Sequence, residues 1–315
     1  MEYCTLGNTD IIVSKLCFGS LTISPLQSNL PLQKGADIIM AAFDRGVNFI
    51  DTAELYDNYS YIKSAIKGKR QKVVLSTKSY AYSEEGAEKS LRKALEELET
   101  DYIDIFSLHE QESEYTIKGH YDAIKYLIKA KEKGYIRAIG ISTHNISAVL
   151  ASLKYREIEV IHPIYNIAGL GIIDGTADEM GEAIKKAYQN GKGIYSMKPL
   201  GGGNLMNSAE QCIQFISNNP HIHSIAIGMQ SINEVIFNTA IIEGKAPPDD
   251  IKSLIGQKKR RLLIDFWCEG CGACANACSQ GAIVMQDNKA HVNHEKCVLC
   301  GYCSRYCKQF CIKII

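Results

Sequence analysis

The chain has 315 residues, too many for one small domain but compatible with one barrel and an appended domain. Its 35 basic and 35 acidic residues balance, so neither nucleic acid nor an anionic membrane is predicted as a partner. The N-terminus lacks a basic stretch followed by an apolar run, and no apolar stretch reaches the roughly 20 residues that span a bilayer. We therefore expect a cytoplasmic protein without membrane association.

Short β-branched segments alternate with amphipathic helical segments from the first strand to about residue 245. The predicted strands are Lys15–Ser20, Asn48–Asp51, Val73–Lys78, Ile103–His109, Arg137–Ser142, Val160–Tyr165, Gly193–Lys198 and Ser224–Gly228. Eight such repeats over about 230 residues predict an α/β fold of the (β/α)8 TIM-barrel type. A doubly wound open sheet is the alternative, but no GxGxxG motif follows the first strand. The Gly7-Asn8 turn predicts a hairpin that closes the barrel floor.

Ionisable side chains follow three consecutive predicted strands. Asp51 ends the second strand, with Tyr56 in the loop after it, Lys78 ends the third strand and His109 the fourth. Each alone has a structural explanation as a cap, a packing group or a solvated charge. Because barrel chemistry takes place where strands end and βα loops begin, the four together predict an active site.

The residues around these positions resemble the aldo-keto reductases. The resemblance rests on Asn48-Phe49-Ile50-Asp51-Thr52-Ala53-x-x-Tyr56, Ser76-Thr77-Lys78, Leu108-His109 and the segment 134–142, and it covers roughly residues 1–245. It implies hydride transfer between NADP or NAD and a small carbonyl or alcohol substrate. In that chemistry Tyr56 is the general acid, Lys78 lowers its pKa, Asp51 holds Lys78, and His109 orients the carbonyl.

The same resemblance implies a set of cofactor-binding residues. They are Gly19, Ser20, Asp51, Ser142, Asn145, His162, Tyr165, Lys198, Leu200, Gly201, Gly228, Gln230, Glu234 and Asn238. The run Lys198-Pro-Leu-Gly-Gly-Gly203 resembles the loop that folds over the pyrophosphate, although three glycines more often mark a flexible turn. Many NADP-dependent members have an arginine where Gln230 stands, so the choice between NADP and NAD stays open.

Residues 246–263 are predicted to form a linker with a helical segment, and residues 264–315 a separate small domain. Nine of the twelve cysteines lie between Cys268 and Cys311. A secreted disulfide scaffold would spread its cysteines along a short chain, so these are predicted to be thiolate ligands in a reducing compartment. The Lys258-Lys259-Arg260-Arg261 run is predicted to be a solvated helical face, with a docking patch for an acidic protein as the alternative.

Two cysteine runs repeat one spacing, C-x2-C-x2-C-x3-C, 29 residues apart. In such pairs the fourth cysteine of each run binds the other cluster. This predicts two [4Fe–4S] clusters with the ligand sets Cys268, Cys271, Cys274 and Cys307, and Cys297, Cys300, Cys303 and Cys278. Zinc is the alternative metal, because CxxC pairs also form zinc sites. The pattern resembles the bacterial dicluster ferredoxins, although Ser279 and Lys308 replace the family's proline, and it implies an α+β ferredoxin-like domain. Cys311 is predicted to be a core residue.

The leading hypothesis is an NAD(P)-dependent oxidoreductase of the aldo-keto reductase type fused to a ferredoxin-like domain. Hydride transfer moves two electrons together and each cluster moves one, and no flavin motif is evident to separate the pair. The alternatives are an electron-transfer protein, which would work with a redox partner protein, and a sensor whose barrel binds nicotinamide but turns over little. The sequence does not identify the substrate.

Overall fold

The computed structural model describes residues 1–315, and it begins with the predicted hairpin. Strand β1 (Tyr3–Thr5) pairs antiparallel with β2 (Ile12–Ser14). Between them Leu6 and Ile11 are fully buried in a small cluster at the bottom of the barrel. Gly7 has a φ of +59°, and a Cβ there would lie 2.3 Å from the backbone nitrogen of Gly193. The close approach of these two backbones requires glycine, and the hairpin prediction is confirmed.

Eight parallel strands close into a barrel, because the eighth pairs with the first. In chain order they are β3 (Leu16–Gly19), β4 (Phe49–Asp51), β5 (Val74–Ser79), β6 (Ile103–Leu108), β7 (Ile136–Thr143), β8 (Val160–Pro163), β9 (Gly193–Met197) and β10 (Ser224–Gly228). Every predicted strand is present with ends within two residues of the prediction. The (β/α)8 barrel is confirmed.

Helices surround the barrel because each connecting segment carries an apolar stripe. They are α1 (Leu32–Asp44), α2 (Tyr59–Ile66), α3 (Glu84–Leu98), α4 (Glu114–Gly119), α5 (Tyr121–Glu132), α6 (Ile146–Ser152), α7 (Ala177–Gln189), α8 (Ala209–Ser217) and α9 (Ile232–Ile242). In α1 the residues at helical spacing, Ile38, Ile39 and Ala42, are buried against the sheet. Ser83 and Thr176 accept hydrogen bonds from the first turns of α3 and α7, which sets where those helices begin.

The rest of the chain adds two short helices and two small antiparallel sheets. Its elements are α10 (Asp249–Gly256), β11 (Leu262–Ile264), α11 (Ala273–Ala277), β12 (Ile283–Gln286), β13 (Lys289–Val292) and β14 (Ile312–Ile314). Helix α10 packs against α9, β11 pairs with β14, and β12 pairs with β13. A separate hydrophobic cluster that includes Leu262, Ile283, Ile312 and Ile314 fills this segment. None of the helices in the structure combines the length and the apolar character needed to cross a bilayer.

The C-terminal segment packs on the carboxyl end of the barrel, where the loops after the strands lie. The Phe310 ring is 2% exposed and belongs to the main core of the barrel. A Cβ on Gly171 or on Gly202 would lie within 3.2 Å of this ring. The Asn204 side chain donates a hydrogen bond of 3.2 Å to the carbonyl of Ile312. The two parts of the chain therefore share an interface beside the predicted active site.

Candidate functional site

The predicted catalytic residues lie together at the carboxyl end of the barrel. Asp51 ends β4, Lys78 lies near the end of β5, and His109 follows β6. The Lys78 ammonium donates to both Asp51 carboxylate oxygens, at 2.7 and 2.8 Å, and to the carbonyl of Thr52 at 2.6 Å. Both charged side chains are almost fully buried, so an ion pair joined by two hydrogen bonds forms the floor of the site.

Tyr56 lies above this ion pair, in a short helical turn after β4. The Lys78 nitrogen is 5.4 Å from the centre of the Tyr56 ring. The edge of the His109 ring faces Tyr56 with the ring centres 5.9 Å apart. Tyr80, which the sequence did not single out, stacks on His109 at 4.5 Å. Its place two residues after Lys78, at the end of the same strand, is the signal that could have indicated it.

The ionisation of these groups follows from burial. Burial, with the charge of Lys78 as the next cause, lowers the pKa of His109 to about 3, so its imidazole is neutral and can donate one hydrogen bond. The Nδ1 atom of His109 is buried without a hydrogen-bond partner. Burial also raises the pKa of Asp51, but the charges of Lys78 and His162 outweigh it and hold this pKa well below its usual range.

The expected lowering of the Tyr56 pKa is wrong for the protein alone. Burial raises the pKa of Tyr56 well above its usual value, and the Asp51 and Glu110 carboxylates raise it further. The charge of Lys78, which is paired with Asp51, does not offset these effects. Tyr56 is therefore a protonated donor, which suits the direction in which a carbonyl is reduced.

Residues from the opposite wall of the barrel hold the Asp51 carboxylate. The Tyr195 hydroxyl donates to Asp51 at 2.9 Å and shares a 2.8 Å hydrogen bond with Ser76. His162 stacks on Tyr195 at 3.9 Å, and its Nε2 lies 3.6 Å from Asp51. Neither Tyr195 nor Ser76 was predicted as a site residue: Ser76 was quoted only as part of the Ser76-Thr77-Lys78 motif, and Tyr195 is a fully buried residue of β9. His162, predicted as a cofactor contact, also belongs to this inner network.

A groove leads from Asp51 and Tyr56 along the ends of β3 and β10 to the start of α9. Of the predicted cofactor-binding residues, those on its wall are Gly19, Asp51, His162, Lys198, Leu200, Gly228, Gln230, Glu234 and Asn238. Those that do not line it are Ser20, Ser142, Asn145, Tyr165 and Gly201. Ser20 bonds the carbonyl of Asp51, and Ser142 accepts from the backbone of Glu110. The side-chain amide oxygen of Asn145 is buried without a hydrogen-bond partner, and the N–H of a carboxamide could donate to it.

The glycine run after Lys198 packs against the C-terminal strand. Gly201, Gly202 and Gly203 have φ values of +55°, +65° and +89°. A Cβ on Gly203 would lie 2.0 Å from the carbonyl oxygen of Ile314, and one on Gly202 would lie 2.7 Å from the Lys313 side chain. These glycines allow strand β14 to approach the barrel closely. Lys198, Leu200, Gly202 and Gly203 also line the groove, so a contact of this run with the pyrophosphate stays a prediction.

The two cysteine runs adopt matching backbone turns. Gly272 and Gly301 have φ values of +76° and +74° and precede the short helical turns that begin at Ala273 and Tyr302. The backbone N–H of Ala282 donates to the Cys278 sulfur at 3.3 Å. At the equivalent place in the second run, the N–H of Cys311 donates to the Cys307 sulfur at 3.2 Å. The sequence repeat is thus a structural repeat as well.

The sulfur atoms of the runs influence one another electrostatically. Burial raises the pKa of Cys303 to about 12, and Cys274, Cys297, Cys300 and Cys278 raise it further. Burial also raises the pKa of Cys274, with Cys307 and Cys268 among the causes. No three His, Cys, Asp or Glu side chains are arranged as a ligand set for a single metal ion. Cys311 is buried, as predicted for a core residue, and its backbone N–H donates to the Cys307 sulfur. Cys4 is half-buried.

Comparison with known proteins gives matches over the barrel. A family model described as "Aldo/keto reductase family" matches residues 15–253. The chain is 24% identical over 303 residues to "Uncharacterized oxidoreductase YqkF" of Bacillus subtilis, covering 82% of this chain and 96% of that protein. It is 25% identical to the L-galactose dehydrogenase of Arabidopsis thaliana, over 77% of this chain and 88% of that protein.

A solved structure has the same fold. The holo form of aldo-keto reductase AKR11C1 from Bacillus halodurans superimposes with a TM-score of 0.67 at 22% identity, and the match covers 82% of this chain and 96% of that one.

Proposed function

The chain belongs to the aldo/keto reductase family and is an NAD(P)-dependent oxidoreductase, and from this we propose that it interconverts a small carbonyl compound and its alcohol at the Tyr56 site. The observation that carries the proposal is the doubly bonded, buried Asp51–Lys78 pair beneath Tyr56 and His109. A second feature supports it, because one groove joins Tyr56 to Gln230 and Asn238, which are predicted to contact the cofactor.

The reduced nicotinamide, when bound, supplies the hydride. The protein's own part is to polarise the carbonyl and to deliver a proton to its oxygen. The neutral His109 donates a hydrogen bond that orients the carbonyl, and Tyr56 transfers its phenolic proton to the developing alkoxide. Lys78 then stabilises the phenolate that remains, and Asp51, with Tyr195, keeps the ammonium beneath the ring.

Replacing the proton donor tests this assignment. Tyr56→Phe removes one oxygen and should abolish carbonyl reduction while nicotinamide binding, followed by fluorescence, changes little. Tyr115→Phe is the matched control, because Tyr115 in α4 is 85% exposed and does not line the groove, so this variant should behave like the unmodified protein. The substrate screen should include aldoses and small aldehydes, since one relative is named for L-galactose. Unchanged turnover of Tyr56→Phe on any active carbonyl would remove Tyr56 from the mechanism.

We also propose that the C-terminal segment binds two [4Fe–4S] clusters through the two predicted sets of four cysteines. The repeated C-x2-C-x2-C-x3-C spacing supports this, as does the repeated N–H···S hydrogen bond to Cys278 and Cys307. When bound, such clusters supply one-electron transfer, and the residues 264–315 would then form the ferredoxin-like domain.

Metal analysis separates the clusters from zinc. Protein purified without oxygen should contain about eight iron and eight sulfide per chain and should give an electron paramagnetic resonance signal after dithionite reduction. Cys274→Ala should lose one cluster, and Cys212→Ala, a buried cysteine of α8, should keep both. Stoichiometric zinc without iron would contradict the proposal.

The surface near the two cysteine runs is compatible with a redox partner protein, because it exposes apolar residues that include Val298, Tyr302 and Tyr306. The many unpaired thiols are compatible with a cytoplasmic location.

A further inference from the structure

Two lysine side chains lie beside the active site where the C-terminal segment meets the barrel. Lys198 follows β9, Lys313 lies in β14, and both line the groove that contains Tyr56. They share the ring of Phe310, whose centre is 3.5 Å from the Lys313 nitrogen and 5.0 Å from the Lys198 nitrogen. These two lysines, here called the ammonium pair, place two positive charges at the mouth of the barrel.

The ammonium pair lacks a full set of counter-ions. The Lys313 side chain is 3% exposed, and its nitrogen lies 3.8 Å from Oδ2 of Asp265, which is too long for a hydrogen bond. That oxygen is buried without a hydrogen-bond partner, and Lys313 donates instead to the carbonyl of Phe310. Lys198 makes no ion pair and donates to Nε2 of His144 at 2.8 Å. Burial lowers the pKa of His144 well below its usual value, so this partner carries no charge.

The other carboxylates near the ammonium pair already have partners. Asp51 accepts two hydrogen bonds from Lys78, and Glu110 accepts one of 2.6 Å from Tyr80. Glu110 acts electrostatically on Lys198 but makes no ion pair with it. Burial lowers the pKa of both members of the ammonium pair, because the charged form is only partly compensated. An anion bound between the two nitrogens would offset that cost of burial.

The ammonium pair lies within electrostatic reach of the catalytic residues. Burial is the main cause that lowers the pKa of His109, and the charges of Lys78 and Lys198 add to it. Lys198 also has a φ of +59°, a left-handed conformation that is rare for a residue with a Cβ and is concentrated at functional sites. An anion held by the pair would therefore lie close to the carbonyl that His109 is proposed to orient.

We propose that the carbonyl substrate carries a carboxylate, and that Lys198 and Lys313 bind this carboxylate while Tyr56 and His109 act on the carbonyl. This rests on the proposed function, because it requires carbonyl reduction at Tyr56. A carboxylate has two oxygens, so it can accept a charge-assisted hydrogen bond from each ammonium, and the Phe310 ring offers an apolar surface to the carbon chain between them. The C-terminal segment then contributes to substrate specificity through Lys313. The cofactor pyrophosphate is the other anion that can approach Lys198, and the experiment separates the two.

Paired substrates test the proposal on the unmodified, full-length protein. Succinic semialdehyde and para-carboxybenzaldehyde hold the carboxylate away from the aldehyde, so their methyl esters remove the charge and leave the reacting carbonyl nearly unaltered. At least one acid should be reduced with a kcat/KM at least about tenfold above that of its ester, since a charge-assisted hydrogen bond contributes about that factor or more.

A variant of the ammonium pair gives the second readout. Lys313→Met keeps the length of the side chain and should raise KM for the acid about tenfold to a hundredfold, while KM for the ester changes less than about twofold. NADPH affinity, measured by fluorescence titration, should also change less than about twofold. Lys289→Met is the matched control, because Lys289 is an exposed lysine of the same C-terminal segment that does not line the groove, and it should change none of these values. If circular dichroism shows that Lys313→Met does not fold, Lys313→Met/Asp265→Asn removes both charges and takes its place, with the same expected values.

The outcomes separate this inference from the reductase proposal. Equal kcat/KM for acids and esters would overturn the inference and leave the reductase proposal intact. So would a Lys313→Met variant that loses NADPH affinity while its preference for the acid is unchanged, because the bound anion would then be the pyrophosphate. If neither the acids, the esters nor simple aldehydes are reduced, the proposed function fails and this inference fails with it.

Discussion

The buried Asp51–Lys78 pair should be a large source of stability that depends on both partners. Asp51→Asn keeps the shape of the side chain but removes its charge, and it leaves the Lys78 ammonium, 1% exposed, without a counter-ion. Breaking a buried pair in this way costs about 3–5 kcal/mol. That is a large part of the about 5–15 kcal/mol by which folded proteins are stable, so the loss should be obvious in unfolding experiments.

The assay is urea-induced unfolding at pH 7, followed by circular dichroism, for four proteins. The double variant Asp51→Asn/Lys78→Met removes the uncompensated charge and should recover most of the loss, with a coupling free energy of about 2–3 kcal/mol. Asp122→Asn is the matched control, because its 2.8 Å bond to Lys125 joins two exposed side chains and should contribute less than about 1 kcal/mol. A loss below about 1 kcal/mol for Asp51→Asn, or a double variant no more stable than it, would refute this account of the pair.

The pH dependence of the same contribution has a definite sign. The pKa of Asp51 is held below its unfolded value of about 3.9, so the stabilisation is fully present above about pH 4 and is lost as the pH falls below it. Acid titration of unmodified protein and Asp51→Asn should therefore give stability curves that converge at low pH.

Two further predictions concern neighbouring residues. Phe310→Ala should detach the C-terminal segment from the barrel mouth, because truncating a buried phenylalanine costs about 3–5 kcal/mol of stability. Hydrogen exchange of the β14 backbone amides should then rise sharply. Phe266→Ala, at an exposed position, should leave that exchange unchanged. The stability of the unmodified protein should fall between about pH 6.5 and 3, because His109 gains a proton in the unfolded chain but not in the folded one, where its pKa is lowered to about 3. His109→Gln should make this fall less steep. Identical slopes of stability against pH in the two proteins would contradict the prediction.

Local patterns in the sequence were sufficient to predict the barrel and the position of its four ionisable residues. Strand and helix periodicities are properties of neighbouring residues, and all eight strands lie where those periodicities put them. Parallel strands bring their carboxyl ends to one rim, so Asp51, Lys78 and His109 could be placed together without coordinates. The roles of these residues, the cofactor contacts and the cluster ligands remain predictions until the proposed variants are measured.

Only the tertiary structure decided what surrounds those residues. Tyr195 reaches Asp51 across 144 positions of sequence, and Phe310 enters the barrel core from the far end of the chain. The tertiary structure also reversed the expected direction of the Tyr56 pKa, because burial and the charge balance of Lys78 depend on every neighbour at once. Periodicity describes which face of an element is apolar, whereas the contacts that tune a buried charge come from elements distant in sequence, and they exist only once the chain has folded.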